Sequence, residues 1–539
     1  MKRVKRRTVV MGLTAAAAVP AVGPATAAQA ASPVRKDRAE TAEGSADGTA
    51  SGTAAGTETA LVFDPSAYTE LTTGITDTAG ATHDVTYRFY KVASYVANPV
   101  DTTYQGLNVS VPVSVDGTAV DATHAPILLA NNVGGYMPSS VAGATGIGGG
   151  GGAGGPGGPG GPGGGSGGPN RTLLALLAGY VVVEPGARGR TLVDSAGVYY
   201  GCAPAAIVDL KAAVRYVKSN RGRVPGNVDR IVTAGTSAGG ALSALLGTSG
   251  DSPLYAAELA ALGAADAGDA VFASGDWCPI TDLEHSDMSY EWCWGGNPLA
   301  DGTTVDATVS GELKAQFTEY LAQLRLTAPG FGRLTDRNLD EYLLRTHLEP
   351  SATAYLAALS DTDRAAYLAA NPFVGWDGTN ATFTWADFLT HVGARKKNAP
   401  AFDAFDLSTP ECNEFGTGTT AVRHFTLYSL RHAEGDSARL DSDLPRKLDQ
   451  MNAMYHVAER VNPNRARHWW IRLGTKDSDT SLTVAANLAA RLRNLGDDVN
   501  IKYYWDAGHG ADQDPGDFVS WIAEVTGHPA HSTHSARRP

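Results

Sequence analysis

The stretch Arg230-Ile231-Val232-Thr233-Ala234-Gly235-Thr236-Ser237-Ala238-Gly239-Gly240-Ala241-Leu242 decides the fold. Its first half is a short apolar run rich in β-branched residues, its last part begins a run of Ala, Ser and Leu, and glycines flank a single serine at the break. This reads as strand, sharp turn and helix, the arrangement that lifts a serine hydroxyl above the end of a sheet. The G-x-S-x-G pattern by itself is weak, because a chain with 63 glycines meets it by chance. Gly164-Gly165-Ser166-Gly167-Gly168 fits it too, inside a tract where no strand or helix could hold it. Context selects Ser237.

Working outward, residues 107–115, 126–131 and 179–184 are short apolar runs of the kind that parallel strands buried on both faces require. Ile207, Leu210, Val214 and Val217 recur at helical spacing within 203–218. Beyond the serine, 270–274 reads as a strand, 468–473 as a strand, 482–495 as a helix, 499–505 as a strand and 518–525 as a last helix. Between them a mostly helical region, with segments such as 312–326 and 352–370, interrupts the alternation. The expectation is an α/β fold, a mostly parallel sheet flanked by helices, with a large helical insertion.

A serine hydroxyl is too weakly acidic to attack an ester unaided, so it needs a base, and the base needs an orienting acid. Val499, Ile501, Tyr503 and Trp505 alternate as a strand, and Asp506-Ala507-Gly508-His509-Gly510 follows at once, which makes His509 the base. The acid belongs after the preceding strand, in Gly474-Thr475-Lys476-Asp477-Ser478-Asp479; Asp477 is preferred and Asp479 is the alternative. A tetrahedral intermediate needs two backbone donors. Ala238, next to the nucleophile, supplies one. The loop Asn132-Val133-Gly134-Gly135-Tyr136-Met137-Pro138 supplies the other, from Gly135 or, nearly as well, from Gly134.

The remaining segments bound the biology. Residues 1–30 read as an export signal: five basic residues up to Arg7, then a mildly apolar Ala-rich run, with Arg6-Arg7 of twin-arginine type and A-x-A sites at Ala25/Ala27 or Ala28/Ala30. Residues 31–60 read as a flexible linker. In 148–168, 16 of 21 residues are glycine, which reads as a disordered surface loop. Residues 61–282 and 447–527 form the two parts of the core on this reading, 283–446 the lid, and 528–539 a solvated tail. A net charge of −13 argues against nucleic acid. Cys202, Cys278, Cys293 and Cys412 lack zinc spacing and, in an exported chain, are expected to form one or two disulfides. No metal or cofactor is expected, and the mature chain is expected to be soluble.

The oxyanion loop with Gly135-Tyr136-Met137-Pro138, the segments Pro185-Gly186-Ala187-Arg188-Gly189-Arg190 and Asp209-Leu210-Lys211-Ala212-Ala213, and Ser237-Ala238-Gly239-Gly240-Ala241 together resemble the bacterial tannases, tannin acyl-hydrolases of the α/β-hydrolase superfamily. So do Cys278-Pro279-Ile280-Thr281-Asp282-Leu283-Glu284-His285 and Tyr290-Glu291-Trp292. The likeness covers residues 60–527. It implies hydrolysis of gallate esters, small aromatic substrates whose phenols are gripped by a lysine and a glutamate of the lid and an aspartate beside the catalytic acid. Lys397, Glu411 and Asp479 occupy those positions. Vicinal phenols are donors that carboxylates accept, and an ammonium donates to phenolic oxygen. The chain departs from the pattern in its Gly-rich insertion and in Cys202, Cys293 and Cys412. No cysteine adjoins Ser237 or His509 in sequence, so the paired-cysteine arrangement of fungal tannases is absent. The alternatives are a feruloyl or general carboxylesterase, a serine peptidase of the same fold, or an exported binding protein on a hydrolase scaffold.

Overall fold

The computed structural model describes residues 61–149, 151–152 and 170–531. The leader 1–30, the linker 31–60, Ser166 and most of the Gly-rich tract lie outside the described residues. Nine strands run through the central sheet: β1 Tyr68–Thr76, β2 Thr82–Val92, β3 Leu107–Val115, β4 Ile127–Ala130, β5 Val181–Pro185, β6 Ile231–Thr236, β7 Ala273–Trp277, β8 His468–Gly474 and β9 Asp498–Tyr504. A two-residue strand, Thr118–Ala119, adds to the edge of β3. The order is β1-β2-β3-β5-β4-β6-β7-β8-β9. The first three strands and the β3/β5 pair are antiparallel, and from β5 to β9 every pairing is parallel.

The parallel strands β4, β5 and β7 are buried along their whole length, as helices on both faces demand. On one face lie α2 (Ala205–Ser219), α3 (Ala238–Thr248) and, after the lid, the helix Leu482–Asn494; on the other lie α1 (Arg171–Leu177) and the last helix, Pro515–Thr526. The region between β7 and β8 holds most of the helices, beginning with Ser286–Trp294 and Ala307–Leu324. Its apolar side chains, Phe317, Leu321 and Leu343 among them, join the same cluster as Ile207, Leu242 and Leu488 of the sheet's first face. Among the described residues no helix is long and apolar enough to cross a membrane.

Several expectations need correction. The strand expected at 270–274 is Ala273–Trp277, because its interior, Ser274-Gly275-Asp276, carries no apolar run. Asp269, ahead of the strand, takes the buried Lys211 ammonium at 2.6 Å. The segment 352–370 is two helices, Glu349–Ala358 and Asp361–Ala370, since Ser360 is extended and caps the second by accepting from the Asp363 amide. The first glycines of the 148–168 tract are built into the fold: Gly148 donates its amide to Glu184, and Gly151–Gly152 pair with Ser139–Ser140. At the other end, the expected tail is anchored through 531, where the His531 amide donates to the Ala178 carbonyl and His528 meets Tyr180 edge-on. All four cysteines are free and buried, so the expected disulfides do not form.

Candidate active site

The parallel register brings the C-terminal ends of β4, β6, β7, β8 and β9 to one rim of the sheet. Trp277 sits opposite Thr236 on one side and Arg472 on the other, and Gly474 sits opposite Tyr504. Ser237 follows β6 with φ 62 and ψ −122, a left-handed conformation that a side chain tolerates only when its surroundings enforce it. Here they do. The Ser237 amide donates to the Trp277 carbonyl at 2.9 Å, and α3 begins at once. A Cβ on Gly235 would lie 2.2 Å from the Gly239 carbonyl oxygen, and one on Gly239 would lie 2.6 Å from Asn131 Oδ1, so the turn closes only with glycine at both places.

The acid and base loops are laced together before either reaches Ser237. Thr475 donates its amide to Tyr504, Lys476 donates its amide to Ala507, and Asp506 donates its amide to Thr475 Oγ1. His509 Nδ1 then stands 2.9 and 3.0 Å from the two carboxylate oxygens of Asp477, and Nε2 stands 2.8 Å from Ser237 Oγ. Asp477 is fully buried and also accepts the Asp479 amide. With the proton on Nδ1 facing Asp477, Nε2 is left to accept from the serine hydroxyl. Such a chain can take the proton as Oγ attacks a carbonyl carbon and later return it to the leaving alcohol. Burial opposes charge on His509, but Cys278 and Asp477 outweigh it and hold the imidazole above its ordinary pKa. Asp479 lies farther off, 4.0 Å from Nδ1, and pairs with Lys396 at 2.5 Å.

Ala238 is the first residue of α3, where an amide has no carbonyl within the helix to meet. Gly135, with φ 55, sits in a turn closed by the Met137 amide donating to the Gly134 carbonyl. The Gly135 carbonyl accepts from Arg190 Nε at 2.8 Å. That guanidinium reaches on through Nη1 to Asn413 Oδ1 at 2.9 Å, tying the loop to the lid.

On the lid side, Lys397 Nζ lies 3.9 Å from Glu411 Oε1 and 3.5 Å from the centre of the Phe402 ring. Its backbone is fixed by the buried Arg395, which pairs with Glu291 and donates to the Lys397 carbonyl at 2.7 Å. Tyr290 accepts the Lys397 amide and donates to the Ser478 carbonyl, linking this loop to the acid loop. Among the described residues Glu411 Oε2 meets no donor, and neither does either oxygen of Glu414. Burial pushes the Glu414 carboxyl well above its ordinary range.

Sequence reasoning missed Arg171, Arg190, Glu414 and the approach of Cys278 to His509 at 3.9 Å. Arg171 donates to Thr236 Oγ1 at 2.7 Å and to Asp512 at 2.9 Å, joining the residue before Ser237 to the His509 loop. Position within a motif was the one available signal, since Arg190 and Cys278 both lie in stretches that carry the family likeness.

A family model described as BD-FAE matches residues 174–305. A solved tannin acyl hydrolase in complex with 3,4-dihydroxybenzoate is 35% identical, with a TM-score of 0.73, over 86% of this chain and 98% of that one. One in complex with ethyl gallate is 35% identical, TM-score 0.73, over 87% and 99%. The tannase of Fusobacterium nucleatum is 34% identical, TM-score 0.74, over 86% and 99%. No curated protein matches the chain. Sheet order, rim and relatives define an α/β-hydrolase that hydrolyses carboxylic esters. Within that class, the chain belongs to the tannase family, the tannin acyl hydrolases.

Proposed function

We propose that this enzyme hydrolyses galloyl and related polyphenol esters through an acyl-enzyme on Ser237, with His509 as base and Asp477 as its orienting acid. On this reading the Ala238 and Gly135 amides receive the oxyanion. Loss of the serine proton to Nε2 frees Oγ to attack, the tetrahedral oxygen is held by the two amides, and the imidazolium protonates the departing alcohol. Water, deprotonated by the same nitrogen, then releases the acid and restores Ser237. Lys397, Glu411 and Asp479 meet the phenolic hydroxyls.

The observation that carries the galloyl reading is Glu411 Oε2, a buried acceptor that meets no donor among the described residues, beside the Lys397 ammonium. Leaving such an oxygen unmet costs about 1–3 kcal/mol, which a phenolic O–H of the substrate would offset. The relatives solved with 3,4-dihydroxybenzoate and ethyl gallate support the same class of ligand. The test is a panel of gallate, protocatechuate, ferulate and acetate esters offered to the purified chain. Gallate and protocatechuate turned over at least tenfold faster than ferulate, per kcat/KM, is the expected result. Ferulate leading the panel would favour the feruloyl esterase reading. We further propose export directed by residues 1–30; replacing Arg6-Arg7 by a Lys pair should retain the enzyme in the cytoplasm.

A further inference from the structure

His509 has a second neighbour that the proposed reaction does not use. Cys278 follows β7 at the same rim, and its φ of 38 is uncommon for a residue with a side chain. Its Sγ lies 3.9 Å from Nε2, the ring nitrogen that also meets Ser237 Oγ at 2.8 Å. One donor atom each from Cys278, Asp477 and His509 lies within 4.8 Å of the other two. Asp477, however, faces Nδ1, so it is not a partner for an ion at Nε2. Its effect is to fix the tautomer that leaves the Nε2 lone pair open, the role carboxylates play behind metal-binding histidines.

We propose that this rim binds a soft divalent cation of the zinc and cadmium kind through Cys278 Sγ and His509 Nε2, beside Ser237 Oγ, as an inhibitor that competes with the ester. Thiolate and imidazole are the ligands such ions select, whereas magnesium and calcium take oxygen. Tetrahedral zinc, with bonds of about 2.3 Å to sulfur and about 2.0 Å to nitrogen, separates its ligand atoms by about 3.5 Å, so the pair must close by only a few tenths of an ångström. A larger ion with longer bonds needs less movement, which favours cadmium over zinc. On binding, the Cys278 thiol loses its proton to solvent as the metal–sulfur bond forms, and any proton on Nε2 leaves to solvent as the metal–nitrogen bond forms, so the bound imidazole is neutral. The ion then occupies the lone pair that would take the serine proton, and hydrolysis stops.

The kinetic part of the test rests on the Ser237 reading; a spectroscopic part does not. The full chain is titrated with cadmium, zinc or magnesium chloride in a buffer free of thiols and chelators while 4-nitrophenyl acetate is hydrolysed. Cadmium and zinc should inhibit competitively, with reversal by EDTA, and magnesium should not. Measured against each variant's own uninhibited rate, Cys278→Ser should raise the inhibitory cadmium concentration at least tenfold, and Cys412→Ser should leave it in place. Independently, the ultraviolet thiolate-to-cadmium charge-transfer band should form on Ser237→Ala and be lost on Cys278→Ser. Equal inhibition of Cys278→Ser and wild type, or a band that survives that substitution, overturns the proposal. Should Cys278→Ser not fold, Cys278→Ala replaces it, and an undiminished charge-transfer band on that variant refutes the site.

Discussion

Two groups of side chains converge on this site and are held by different means. Those of the sheet rim follow strand ends: Ser237 after β6, its amide bonded to Trp277 of β7, and Asp477 after β8 and His509 after β9, on loops whose backbones are bonded to each other. Those of the lid are Lys397, on a loop fixed by a buried Arg395–Glu291 pair and by Tyr290, and Glu411, on the five-residue helix Pro410–Glu414. The rim is set by sheet register and glycine contacts, which any ester chemistry would need. The lid is set by polar contacts between segments far apart in sequence, which can change without disturbing the sheet. On the proposed function, general chemistry belongs to the rim and selectivity to the lid.

The widest separation between the two comes from removing rim groups. Ser237→Ala should reduce kcat/KM by at least about ten-thousandfold on every ester, because it removes the hydroxyl that meets His509 Nε2 at 2.8 Å. Asp477→Asn should follow with about the same factor, since the imidazole then loses its orienting charge. Steady-state rates on gallate and acetate esters measure both, and the ratio between the two substrates should hold. Full activity of Ser237→Ala would remove the rim from the chemistry altogether.

Lid substitutions should show the opposite pattern. On the proposed function, Glu411→Gln and Lys397→Met each remove a charged partner of the phenols, worth about 1.5–3 kcal/mol, so gallate hydrolysis should fall roughly ten- to a hundredfold. An acetyl ester, without phenols, should be affected little. Equal losses on both esters would mean that the lid supports the rim directly, and the division of labour argued above would fail.

The same division explains what the sequence made legible. The strand-turn-helix at Ser237 and the strand followed by Gly508-His509-Gly510 are local patterns, because a buried parallel strand must be an apolar run and a close turn must have glycine. β7 was read three residues too early, at 270–274, since its interior places Ser274 against Asp276, which accepts from its hydroxyl at 2.6 Å, and leaves no apolar run to read. Lys397 and Glu411 were found through the family likeness alone; no periodicity marks a side chain placed by Arg395 and Glu291, 104 residues apart. Cys278 beside His509 and Arg171 beside Thr236 are contacts made by register, invisible to spacing. The disulfide expectation failed for a related reason: compartment and cysteine count suggest pairing, but the thiols take other partners, Cys278 facing His509, Cys412 facing Asp403 and Cys202 facing the Asn413 carbonyl.

Arg190 joins the two groups and should sharpen the boundary between them. Its guanidinium holds the Gly135 carbonyl on one side and Asn413, between Glu411 and Glu414, on the other. Arg190→Met removes two hydrogen bonds at a partly exposed site, each worth about 1 kcal/mol, so kcat should drop by roughly five- to thirtyfold on acetate as well as gallate. A loss confined to gallate, read from the same pair of esters, would show that Arg190 serves the lid alone.

The smallest effect concerns the seam where lid and sheet pack. His347, from the lid, stacks on Tyr503 of β9 with ring centres 4.8 Å apart, and burial, aided by the Arg493 charge, pushes its pKa down to about 3. In the unfolded chain the same group titrates near its ordinary value, about 6.5. Between those values the unfolded state binds the extra proton, so stability is full above about pH 6.5 and falls as the pH drops toward 3, by about 1.4 kcal/mol for each unit below 6.5. His347→Phe keeps an aromatic ring against Tyr503 and has nothing to protonate. Urea midpoints taken at pH 7.5 and 5.5 should therefore fall further for the wild type than for the variant, by the equivalent of about 1 kcal/mol. Identical falls in the two proteins would mean that this histidine is solvated in the folded state and that the seam opens at mild acidity without it.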